Sequence, residues 1–97
     1  MAVDSSYLAR VKMSLRVTNT TFDAQISDLI EEAILDLTST ADIKSFTTST
    51  IDALQSGAVI AYVSYRWFND EKYFTCYNDM KAKMALSGKY RVIPDAE

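Results

Sequence analysis

The sequence predicts an all-α protein, a small bundle of about four helices with a polar loop between the second and third and an extended C-terminal tail. Three observations predict it. Only two Gly and one Pro interrupt 97 residues, so long helices meet few breakers. Apolar residues recur at intervals of three and four, with no strand-like alternation. The composition, 48% hydrophobic and 24% charged, is that of an ordinary globular chain, long enough for one domain.

A first helix is expected over about residues 6–17, capped by Asp4, Ser5 or Ser6. Leu8, Val11 and Leu15 form its apolar stripe, and Arg10, Lys12 and Arg16 its basic remainder. The segment "VTNTTFDAQ" breaks the pattern, and Asn19, Thr20 or Thr21 can cap a second helix over 22–38. There Phe22, Ile26, Leu29, Ile30, Ala33, Ile34 and Leu37 hold helical spacing. The other face carries Asp23, Asp28, Glu31, Glu32 and Asp36 with no base between 22 and 38. Such a face is either solvated or used for charge complementarity or repulsion. Residues 38–50 are rich in Ser and Thr, which favour turns. Within this loop Ile43 and Phe46 either fold back on the core or, with Lys44, meet a partner.

A third helix, 50–68, repeats Ile51, Leu54, Ala58, Ala61, Tyr65 and Phe68, with Ile60, Val63 and Trp67 opposite. It is apolar nearly all round and must be central. Gly57 costs about 1 kcal/mol relative to Ala inside a helix, so a close helix crossing is expected there. In "FNDEK", Asn69 and Asp70 can end one helix and cap the next, 70–86, whose face reads Tyr73, Cys76, Tyr77, Met80 and Met84. Cys76 reads as a small buried hydrophobe. Gly88 stops the helix, and Pro94 keeps residues 89–97 extended.

Seven of the eleven Phe, Trp and Tyr residues lie between 61 and 80. Their helical spacing makes Tyr65, Trp67, Phe68 and Tyr77 core with Leu29, Ile30, Ala33, Leu54 and Ala61, and makes the run a clamp between the last two helices, not a base-stacking platform. Tyrosine hydroxyls at its margins are candidates to meet a neighbouring subunit.

Chemistry is sparse. The chain has no His, which excludes Ser-His-Asp triads and His-bearing metal sites, and its two Gly are too far apart for a phosphate loop. Carboxylates one turn apart, Asp28 with Glu32 and Glu32 with Asp36, have no apolar cleft predicted around them. No enzyme activity, cofactor or metal is expected. A net charge of -3 argues against a surface built on phosphate neutralisation. The longest apolar stretch, 58–63, is far below the ~20 residues of a membrane span, and Asp4 with a polar helix follows Met1 directly, unlike a secretory leader. Cytosolic residence without membrane contact is expected.

Two stretches carry a family resemblance. Asp23, Ile26, Leu29, Ile30 and Ala33 follow a D-x-x-I-x-x-L-I-x-x-A pattern, and Trp67, Phe68 and Asn69 form an aromatic pair followed by Asn at the end of a later helix. In this the chain resembles, over residues 5 to 86, the small head-tail connector (adaptor, head completion) proteins of tailed bacteriophages and prophages. It departs from them where Asp70 and Glu71 stand before Lys72, since relatives often place a base directly after the Asn. The resemblance implies a structural virion protein, made in the bacterial cytoplasm and located at the head-tail interface. It implies a ring of identical subunits below the portal protein, docking further head completion or tail proteins and extending a channel through which DNA passes without sequence-specific binding. Asp28, Glu31, Glu32 and Asp36 are then subunit-interface or channel-lining candidates. Ile43, Lys44 and Phe46, and the tail residues Lys89, Tyr90, Arg91, Val92 and Ile93, are partner-contact candidates. The alternative reading is a small helical DNA-binding or packaging-regulatory protein using Lys81, Lys83, Lys89 and Arg91.

Overall fold

A computed structural model describes residues 3–40, 43, 44 and 46–86. Four helices account for most of them: α1 (Ser5–Leu15), α2 (Asp23–Thr40), α3 (Ala53–Phe68) and α4 (Glu71–Leu86). No strand occurs among the described residues, so the all-α class holds. The expected tail, residues 89–97, lies outside them.

Local chemistry sets each helix boundary. Asp4 occupies the N-cap of α1, and its amide donates to Thr48 Oγ1 at 2.8 Å, pinning the helix start to the loop before α3. At the other end Arg16 adopts a left-handed conformation with φ 61°; its amide donates to the Met13 carbonyl and that of Val17 to the Lys12 carbonyl. This is the Schellman arrangement, here with an arginine where glycine is usual. Ahead of α2, Asn19 Oδ1 accepts from the Thr21 amide. α3 opens with a capping box. Asp52 accepts from the Gln55 amide at 2.9 Å while the Gln55 side chain accepts from the Asp52 amide at 3.0 Å. Asn69, left-handed at φ 56°, ends α3, and Asp70 Oδ1 accepts from the Lys72 amide at the start of α4, the junction the sequence predicted.

Packing follows the apolar faces, with α3 in contact with all three other helices. From α2, Ile26, Leu29, Ile30, Ala33, Ile34 and Leu37 are buried; Ala58, Val59, Ala61 and Val63 come from α3. The crossing expected at Gly57 is present. A Cβ there would lie 3.0 Å from Met80 Sδ and 3.2 Å from its Cε, so α4 packs where a side chain is missing.

Several expectations are corrected. On α1 the buried stripe is Tyr7, Val11 and Leu15, an i, i+4, i+8 series, and Leu8 is half-buried at its margin. Tyr7 is buried because its hydroxyl has a partner, Ser56 Oγ at 3.0 Å. Ile43 and Phe46 are 1% and 6% exposed, so this loop does fold back onto the core, and only Lys44 of the three loop candidates is exposed. Both side chains belong to the hydrophobic core cluster, which decides between the two alternatives the sequence left for them. Cys76 is exposed: it sits about 100° round the helix from Tyr77, which takes the inward position. Phe68 is 47% exposed, and Leu54, Tyr65 and Trp67 are half-buried, because they lie at the margins of the bundle rather than at its centre.

Candidate functional site

Six of the seven rings between 61 and 80 form a ladder between α3 and α4. Tyr62 meets Tyr77 edge-on at 5.2 Å, Tyr65 meets Phe74 at 4.8 Å, and Phe68 meets Tyr73 at 5.9 Å between ring centroids. Trp67 points the other way and packs edge-on against Phe22, just before α2, at 5.4 Å. The clamp is therefore real, and its rings pack pairwise between the two helices.

Two hydroxyls of this ladder, those of Tyr62 and Tyr77, turn towards α2. Tyr77 donates a very short hydrogen bond to Asp36 Oδ2, and Lys81 Nζ reaches the same oxygen at 3.0 Å. One helical turn earlier on α2, Glu32 accepts from Arg66 Nη1 at 2.8 Å, and the same nitrogen donates to the Tyr62 hydroxyl at 3.0 Å. Burial, and then the Asp36 carboxylate beside it, push the Tyr77 hydroxyl well above the usual phenol range. Burial likewise raises Tyr62 and Tyr7. Tyr77 as a donor to Asp36 and Tyr62 as an acceptor from the Arg66 that holds Glu32 fasten α4 and α3 to α2, and Tyr7 joins α1 to α3, so these three hydroxyls are engaged within the chain.

The acidic face of α2 is consequently divided. Asp23 is committed to α1: its buried Oδ1 accepts no conventional hydrogen bond among the described residues and is neutralised by Lys12 Nζ, 2.7 Å away. Glu32 and Asp36 are committed to α3 and α4. Asp28 and Glu31 have no charged partner among the described residues, and with Glu32 and Leu35 they line an open cleft of about 460 Å³. Leu35, 64% exposed, stands amid these acids. The spacing 28, 31, 32, 35 places all four on one face.

Sequence reasoning placed the four acids on one face but did not separate them, since their cationic partners lie 34 and 45 residues away. It passed over Leu35, although the signal was there: an aliphatic residue off the apolar stripe and inside the acidic one. Met13 on α1, 77% exposed, was missed for the same reason. The tail candidates Lys89, Tyr90, Arg91, Val92 and Ile93 lie outside the described residues.

No group of three or more metal-ligating side chains occurs among the described residues, and no helix there is long and apolar enough to cross a membrane. Comparison with protein-family models, with curated proteins and with solved structures finds no match.

Proposed function

We propose that the chain is a structural virion protein of the head-tail connector kind. In this reading it assembles as a ring of identical subunits below the portal, at the head-tail interface, and extends the channel through which DNA passes. One observation carries the reading beyond the motif resemblance: on α2 an inner face that is fully buried backs an outer face on which Leu35 is exposed among acids. Isolated apolar surface residues are ordinary. An exposed leucine on the wall of a charged cleft is what a subunit contact uses, with apolar area at the centre and charge at the rim. The resemblance motif agrees with this division, because Ile26, Leu29, Ile30 and Ala33 hold α2 to its own bundle and leave the outer face for another molecule.

The roles of the acids are narrowed. Glu32 and Asp36 serve the fold of the monomer, so Asp28 and Glu31 are the interface or channel-lining candidates. A ring requires heterologous contacts, one patch meeting a different patch on the next copy. Mass measurement in solution at several concentrations, followed by electron microscopy, tests the reading. Closed rings are expected as concentration rises, and a single-chain mass throughout, with or without portal protein, counts against it. The DNA-binding alternative loses one of its four cations, because Lys81 is held by Asp36. A steep fall of DNA affinity with salt would restore it.

A further inference from the structure

The outward face of α1 is the chemical counterpart of the outward face of α2. Along α1, Arg10, Met13 and Arg16 recur at intervals of three, so Met13 stands between two cations with the small exposed Ala9 beside it. All four are exposed, and Met13 reaches 77%. Lys12 does not belong to this face; it is turned inward to Asp23. Arg16 is exposed at the left-handed turn that closes α1; Arg10 is exposed at the inner margin of the face, its guanidinium 5.4 Å over the Tyr7 ring and donating to Ser56 Oγ at 3.5 Å. Neither arginine has a carboxylate within ion-pair distance among the described residues. On α2 the sign is opposite: Leu35 follows Asp28 and Glu31 on one face and lines the same open cleft, with Glu32 beside it already paired to Arg66.

We infer that these two faces are partners: the Leu35 cleft on α2 of one copy receives Met13 of α1 from the next, with Arg10 and Arg16 against Asp28 and Glu31. The inference rests on the ring reading above and specifies its contact. Three features favour a second copy over other occupants. Each face joins one large exposed apolar side chain to a rim of single charge, and the signs are opposite, which steers encounter and fixes register. Methionine, unbranched and adaptable, suits insertion into a cleft wider than its own volume. Because the two faces are different and sit on different helices, their pairing is heterologous, and each copy retains one free face of each kind for growth into a ring.

Single-cysteine chains test the pairing directly. In full-length protein with Cys76→Ser, one chain carries Leu35→Cys and the other Met13→Cys; equal amounts are mixed and mildly oxidised, and disulfide-linked pairs are separated by mass. The heterodisulfide should exceed either homodisulfide by about tenfold, the ratio that ~1.4 kcal/mol of preference gives. Asp28→Lys with Glu31→Lys on the Leu35→Cys chain should remove that excess, and Arg10→Glu with Arg16→Glu on the Met13→Cys chain should restore it. The restoration also guards against misfolding, since a damaged chain would not be rescued by a change in its partner. Homodisulfides formed as readily as the heterodisulfide, or no interchain disulfide at all, would overturn the pairing. The ring reading fails separately. A dominant heterodisulfide in particles that never close would leave the contact standing and remove the ring, whereas closed rings with dominant homodisulfides would do the reverse.

Discussion

The seam between α3 and α4 and the outer face of α2 both carry large apolar residues near charge, yet they differ in where their polar groups find partners. At the seam every tyrosine that approaches α2 ends on an acid or an arginine of the same chain: Tyr77 on Asp36, Tyr62 on Arg66 and through it Glu32. On the outer face of α2, Leu35 stands exposed beside Asp28 and Glu31, which have no charged partner among the described residues. An aromatic run that looks like a binding platform is internal structure, and a short acidic stripe that looks like a solvated surface is the docking face proposed above. Apolar content alone does not separate a fold element from an interface; the fate of the neighbouring polar atoms does.

The sharpest way to break this comparison is to truncate on either side of α2. Ile30, fully buried, should cost about 2–5 kcal/mol on replacement by Ala, by lost transfer energy plus a residual cavity. Leu35→Ala, on the opposite face, should stay within about 0.5 kcal/mol of wild type. Urea unfolding monitored by circular dichroism measures both, and a Leu35→Ala loss as large as that of Ile30→Ala would mean that the outer face is part of the core. At the seam, Gly57→Val should cost about 1–3 kcal/mol by overpacking against Met80. Gly57→Ala should be nearly neutral, because the thioether can move aside and the helix gains about 1 kcal/mol of propensity.

The tyrosine latch is next in size. Tyr77→Phe should lose about 1–3 kcal/mol, since Asp36 is left partly buried with one donor fewer. The same latch gives an alkaline signature. The folded-state pKa values of Tyr77, Tyr62 and Tyr7 are raised, so their contribution is whole below the unfolded phenol value near 10 and is lost as pH climbs above it, where only the unfolded chain deprotonates. Unfolding midpoints should therefore fall above about pH 10, and fall less in Tyr77→Phe; an identical alkaline slope in the two proteins would contradict the latch. Smallest is the Schellman turn. Arg16→Gly should stabilise by up to about 1 kcal/mol, by relieving the left-handed conformation of a residue with a Cβ, and the shift in thermal midpoint reads it.

How much of this was legible follows the range of the interactions. The inner face of α2, the central place of α3, the crossing at Gly57 and the junction at Asn69 and Asp70 could be read because helical period, apolar count and capping chemistry are local. Tyr7 in place of Leu8, and Cys76 outside rather than in, were not legible: neighbouring residues on a helix compete for one inward position, and the winner depends on what faces it, here Ser56 for Tyr7. Whether Ile43 and Phe46 would fold back was open for the same reason. Division of the acidic stripe was the hardest to see, since Asp36 and Glu32 are claimed by residues far along the chain, and only that pairing singles out Asp28 and Glu31, with Leu35, as the candidate site.

The central claim is that the two faces of α2 do different jobs, one for the fold and one for assembly. It is tested most directly by sedimentation of wild type and Leu35→Lys over the same concentration series, with urea unfolding of each as control. The predicted result is that Leu35→Lys keeps the wild-type unfolding midpoint and remains a single chain at concentrations where wild type forms rings. Rings of undiminished stability in Leu35→Lys, or loss of assembly only in step with loss of folding, would contradict it.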